Sequence, residues 1–215
     1  MINDRAMVNH SSIPIEEQVC LVIGGGHGRG RRVAETLAKA GVKAVAITYR
    51  ENREEAHETY LNVQALGSIC LLAQMDPTQR RSVRRVLLWI TDHVGRIDVL
   101  VNAEEERWPE PMRESASQEI RRAIDVNLRA PLLCADEVMP FMAIQQTGGL
   151  ILSIGMDEDT SAALHAVEGK RAPSTLDESM GQARGYAASR GVTIQLLPRT
   201  DEEELAAAVL QAVSR

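Results

Sequence analysis

The chain has 215 residues, of which 44% are hydrophobic, 25% charged and 3% aromatic, with a net charge of −6; that is enough for one substantial core rather than two. The negative balance offers no attraction to a phosphate backbone, and so few aromatics leave no stacking platform for single strands, which argues against nucleic-acid binding. No apolar run reaches the roughly 18–20 residues of a bilayer span, residues 1–18 lack the apolar centre of a signal peptide, and Cys20, Cys70 and Cys134 have no paired spacing, so a reducing, cytoplasmic, membrane-free setting is expected.

Residues 1–17 are polar and read as a flexible arm ahead of one domain over 18–215. Residues 19–24 are an apolar run ending in glycines, and 31–40 carry helical spacing closed by Gly41. A second buried strand is predicted over 43–48, a charged amphipathic helix over 51–66 stopped by Gly67, and a third strand over 68–72. Apolar residues recur at three- and four-residue intervals over 80–94, and 99–101 make a fourth strand. Ser115 and Gln118 have the form of a capping box opening a helix towards Asn127, and a separate helix follows over 131–144, ended by Gly148 and Gly149.

Residues 150–154 are a fifth strand and 192–197 a sixth. Thr175 with Glu178, and Thr200 with Glu203, predict capped helix starts on either side of that sixth strand. The first of these helices is poor in apolar residues, and its Gly181 and Gly185 offer either a close-packing face or an exposed one. Continuous apolar strands alternating with helices predict an α/β fold: a single-domain, doubly wound, Rossmann-type parallel sheet covered on both faces.

Five of the seven residues from Gly24 to Gly30 are glycine, between the first strand and the first helix. Gly24, Gly28 and Gly30 have the spacing that lets a backbone turn tightly against a pyrophosphate held at a helix N-terminus. The second strand ends in Thr48-Tyr49-Arg50, with no acid for a ribose 2′-hydroxyl and a cation for a 2′-phosphate. Together with His27 and Arg29, this favours NADP(H) if a dinucleotide binds.

These residues resemble the short-chain dehydrogenase/reductase family, from about residue 20 to residue 197. Asp76, after the third strand, looks like the family's adenine-contacting Asp. Leu100-Val101-Asn102-Ala103 resembles the start of its Leu-Val-Asn-Asn-Ala-Gly segment, which implies a cofactor-side role for Asn102. Asp125-Val126-Asn127-Leu128 matches the helix bearing the family's catalytic Asn, and Gly148-Gly149-Leu150-Ile151-Leu152-Ser153-Ile154 matches the strand leading to its catalytic Ser. Counted forward from that strand and back from Gly191-Val192-Thr193, the family's Ser, Tyr and Lys fall on Met156, Gly169 and Pro173. None of these three moves a proton. The resemblance therefore implies a divergent member lacking the Ser-Tyr-Lys set, with Asn127 as the one catalytic position retained. The short passage from Leu197 to Asp201 implies a truncated substrate lid and final strand, and the helices around Asn127 imply a homodimer.

Glu104, Glu105 and Glu106 follow the fourth strand, and Asp157, Glu158 and Asp159 follow the fifth, on the edge where ligands collect in this topology. Three readings are open: solvated loops, a surface for a basic protein, or a site for a divalent metal or cationic substrate. No ligand spacing is diagnostic, so no metal is assigned. His165, Lys170 and Arg171, in the loop beyond, could supply replacement acid–base groups. The leading expectation is an NADP(H)-type loop, with cofactor bound or none, on a protein that has lost conventional oxidoreductase catalysis and serves as a binding or partner subunit. The alternatives are a lyase, isomerase or cyclase in the old cleft, and an active NADP-dependent oxidoreductase taking its Tyr from elsewhere, such as Tyr186.

Overall fold

In a computed structural model, residues 13–106, 117–145, 147–154, 176–197 and 200–214 are described. β1 (Val19–Ile23) and β4 (Val99–Asn102) are buried along their whole length, as strands without a polar face must be. They lie side by side at the centre of a six-stranded parallel sheet with the order β3-β2-β1-β4-β5-β6. The remaining strands are β2 (Ala44–Tyr49), β3 (Ile69–Gln74), β5 (Gly149–Ile154) and β6 (Val192–Leu197). The doubly wound fold expected from the alternating elements is the one observed. β3 runs two residues past its expected end because Thr48 and Tyr49 of β2 continue to pair with Ala73 and Gln74.

Side-chain alternation along the strands builds two cores, one on each face. Leu21, Ile23, Leu100 and Ile151 pack with α3 (Arg80–Val94) and α5 (Ala130–Ile144). Val22, Val45, Ile47, Val101 and Leu152 pack with α1 (Gly28–Lys39) and α7 (Glu202–Val213), and Val63 of α2 (Arg53–Ala65) joins them. Cys134 lies in the first core and Cys20 and Cys70 in the second; burial raises all three thiol pKa values, that of Cys70 to about 12.

The helix boundaries depart from expectation in three places. α1 opens at Gly28, not at Arg31, so two of the glycines are helical. α4 (Ser117–Ile124) does not end at Asn127 but passes through a π turn (Asp125–Arg129) directly into α5. Pro131 brings no N–H to the preceding turn, and the helix widens there instead of breaking. α7 is capped by Asp201, whose carboxylate accepts from the Glu203 and Glu204 N–H groups at 2.9 Å, rather than by Thr200. Leu197 ends β6 and Glu202 opens α7, so little chain separates that strand from the helix packed against α1. α6 (Leu176–Ala188) carries Gly181 and Gly185, and among the described residues nothing lies within 4 Å of a Cβ built on either.

The entry to β4 is tied to its neighbours by Asp98, which is 2% exposed. Its carboxylate accepts from the Val19 N–H at 2.8 Å and from the Arg96 guanidinium at 2.7–3.0 Å, while Arg96 also reaches Thr147 at 2.9 Å. Polar groups at the bottom of the sheet thus hold three adjacent strand starts in line.

Candidate functional site

The strand order reverses between β1 and β4, and a crevice opens beyond their carboxyl ends. The glycine loop lines it from one side and residues 103–106 from the other. Gly24 has φ 75°, a left-handed turn that only glycine adopts freely, and its N–H donates to Thr48 Oγ1 at 3.2 Å. Gly30 sits inside α1 against that turn, where a Cβ would overlap the Gly24 carbonyl oxygen. The glycines therefore bring the first turn of α1 onto the loop. His27 stands at its N-cap position without a side-chain cap, an end suited to an anion.

Three cavities meet here. One of about 260 Å³ is lined by Gly24, Gly26, His27, Thr48, Arg50 and Glu104. A second, of about 420 Å³, lies beside Gly28, Arg29, Glu105 and Glu202. A third, of about 430 Å³, is bounded by Arg50, Asp76, Thr78, Arg121, Arg122 and Asp125.

Glu104, Glu105 and Glu106 do not form the solvated rim that their charge suggests. Glu105 accepts from Arg29 at 2.5 Å. Glu106 accepts from Arg50 at 2.8 Å and from Arg122 at 2.9 Å, and Arg122 also reaches Glu51 at 3.0 Å. Glu104 turns over Gly24, its Oε2 2.7 Å from the position a Gly24 Cβ would take. Burial pushes its carboxyl above the ordinary value, while Arg50 and His27 pull the other way. For Glu106 burial also opposes ionisation, but the Arg50 hydrogen bond and the Arg122 charge outweigh it and hold the carboxyl below the ordinary value.

The other anticipated positions are also engaged. Asn102 is 5% exposed and donates its amide to Ser153 Oγ at 2.9 Å, bridging β4 to β5. Asp76 closes its own turn, accepting from the N–H and hydroxyl of Thr78 at 3.0 and 2.7 Å, and borders the third cavity. Asn127, in the π turn, accepts from the Glu106 N–H at 3.0 Å and donates to the Glu106 carbonyl at 2.8 Å. Met156, Gly169 and Pro173 lie outside the described residues, as do Asp157, Glu158, Asp159, His165, Lys170 and Arg171.

Arg122 and Glu202 enter the site without having been anticipated. Arg122 was findable, since it precedes Asn127 by five positions on the same helical run; Glu202 depended on where α7 packs. Tyr186 is 54% exposed, with the Arg190 guanidinium 3.6 Å above its ring. Among the described residues no three His, Cys, Asp or Glu side chains group as a metal site, and no helix is long and apolar enough to cross a membrane.

Residues 18–160 match the family described as short chain dehydrogenase. The hydroxynaphthalene reductase arp2 of Aspergillus fumigatus is 30% identical over 139 residues, which cover 62% of this chain and 50% of that protein. The 3-oxoacyl-acyl-carrier-protein reductase FabG of Escherichia coli is 28% identical over 182 residues, covering 85% of this chain and 72% of that one. The first curated relatives are matched over about half their length. A metagenomic short-chain oxidoreductase solved with NADP superposes with a TM-score of 0.78 at 23% identity, over 92% of this chain and 90% of that one.

Proposed function

The chain belongs to the short-chain dehydrogenase family, and from that premise we propose that it keeps an NADP(H)-type dinucleotide cleft without conventional reductase chemistry, serving as a binding subunit for a sister copy or another protein. The observation that carries this reading is that no tyrosine is followed four residues later by lysine. Tyr49, Tyr60 and Tyr186 are followed at that spacing by Arg53, Gln64 and Arg190. Hydride delivery to a carbonyl leaves an alkoxide that needs a proton donor of suitable pKa within hydrogen-bond reach. Asn127 cannot be that donor, and its amide is already spent on the Glu106 backbone.

The main-chain cradle fits a dinucleotide: the left-handed Gly24 turn and its contact with Gly30 bring the uncapped first turn of α1 to the crevice, and Arg50 follows the end of β2, where a 2′-phosphate would lie. Bound there, the nicotinamide group would supply hydride chemistry. Gly24, Gly28 and Gly30 would hold its phosphates, with Arg29 and Arg50 as the charged partners. Titration with NADPH and NADH, followed by a turnover assay over a panel of aldehydes and ketones, tests the reading. Saturable NADPH binding without carbonyl reduction is expected; reduction at ordinary enzymatic rates would sink it. The second reading, an active oxidoreductase, is favoured by the reductase names of the relatives, and the same assay decides between them.

A further inference from the structure

The two arginines flanking the glycine cradle are both held by one acidic segment of the same chain. Arg29, on the first turn of α1, gives its guanidinium to Glu105, and Arg50, at the end of β2, gives its own to Glu106. Glu104 covers the turn between them: its backbone and its carboxylate both lie 2.7 Å from the position a Gly24 Cβ would take, so the chain itself occupies the close approach that glycine allows. A carboxylate and a phosphate oxygen make the same charge-assisted bond to a guanidinium, so these three acids present to the cleft the chemistry that nucleotide phosphates would bring. The segment is also anchored: Asn127 grips both backbone groups of Glu106, and Arg122 shares its side chain. Loops filled merely by chance would not require this clamp from a neighbouring helix.

We infer that residues 104–106 are a built-in competitor for dinucleotide phosphates, so that nucleotide enters the cleft only by displacing the chain's own carboxylates. The inference rests on the dinucleotide reading above and adds to it a device set inside the site. Glu105 opposes the pyrophosphate at Arg29. Glu106 opposes the 2′-phosphate at Arg50. The two acids therefore act on different parts of the ligand, and this separates competition from general loosening of the loop.

The experiment titrates the full chain and its Glu105→Gln, Glu106→Gln and double variants with NADPH and NADH, following nicotinamide fluorescence, with thermal melts to verify folding. Glutamine keeps the shape of each side chain and removes its charge. The double variant is expected to bind NADPH about tenfold more tightly, the yield of freeing Arg29 and Arg50 from their partly exposed carboxylate partners. Glu106→Gln should favour NADPH over NADH, and Glu105→Gln should improve both alike. A folded double variant with wild-type affinity overturns the inference and leaves the dinucleotide reading standing. Failure of every form to saturate at millimolar nucleotide overturns that reading, and the inference with it. If the double variant does not fold, the selectivity of the single variants decides.

Discussion

Asn127 holds Glu106 by both backbone groups, accepting from its N–H at 3.0 Å and donating to its carbonyl at 2.8 Å. An amide is the side chain that can do both at once, because it carries a donor and an acceptor side by side. The π turn places that amide opposite the segment leaving β4, so Asn127 sets the path of the acidic loop.

Replacing Asn127 by alanine removes both bonds and leaves two half-buried backbone groups without them. A loss of about 2 kcal/mol is expected, read as a fall in melting temperature of about 4–8 °C for a domain of this size. Asn127→Asp keeps the acceptor but turns a carboxylate onto the Glu106 carbonyl, and should fall at least as far. Two variants melting with the wild type would show that the clamp holds nothing.

Glu104 and Glu106 should respond to pH with opposite signs. The carboxyl of Glu106 is depressed in the folded state, so its stabilisation is present above the unfolded value of 4.5 and disappears as pH falls through the lower folded value. That of Glu104 is raised, so its ionisation costs stability above its folded value, and the cost is relieved as pH falls towards 4.5. In denaturant titrations, Glu106→Gln should destabilise at pH 7 and become neutral in strong acid. Glu104→Gln should stabilise at pH 8 and lose that gain near pH 4.

Gly30→Ala drives a methyl into the Gly24 carbonyl, a main-chain atom that cannot step aside without moving the loop. Overpacking of this kind costs about 3 kcal/mol, and nucleotide binding should fall with stability. Gly181 supplies the contrast: it is helical, with open space around it among the described residues. Gly181→Ala should add about 1 kcal/mol through helix propensity. A destabilised Gly181→Ala that also loses an assembly in size measurements would instead show that a second copy packs on that face.

Asp98→Ala strips the carboxylate from Arg96 and from the Val19 N–H together. Removing one side of a buried pair costs about 3–5 kcal/mol, and the outer exposure of Arg96 places the result near the lower end. Asp98→Asn, which keeps an acceptor for Val19, should recover part of it in chemical denaturation.

The sheet was legible because each strand is apolar enough to demand burial on both sides, and the helices between announce themselves by period and terminal glycine. Local choices were less so. Gly28 and Gly30 read as loop because glycine weakens a helix, yet α1 includes both: Gly28 opens it with a left-handed φ of 49°, and only a residue without a side chain at Gly30 lets α1 reach the Gly24 turn. Thr200 and Asp201 are both good caps, and where α7 begins against α1 chose the second. The ion pairs of the cleft were beyond reach. Arg29 and Glu105 stand 76 positions apart, with no periodicity joining them, and they meet only because β1 and β4 are neighbours. Composition announced an acidic edge, and topology turned half of it inward.

The three buried thiols turn the two cores into separately readable compartments. Cys134 reports from the buried side of α5, and Cys20 and Cys70 report from the face covered by α1 and α7. With each thiol shielded and held protonated, a colourless reagent that becomes coloured on capture will label only molecules that have opened. Single-cysteine versions of the chain would therefore time the opening of either side of the sheet independently, with no probe attached.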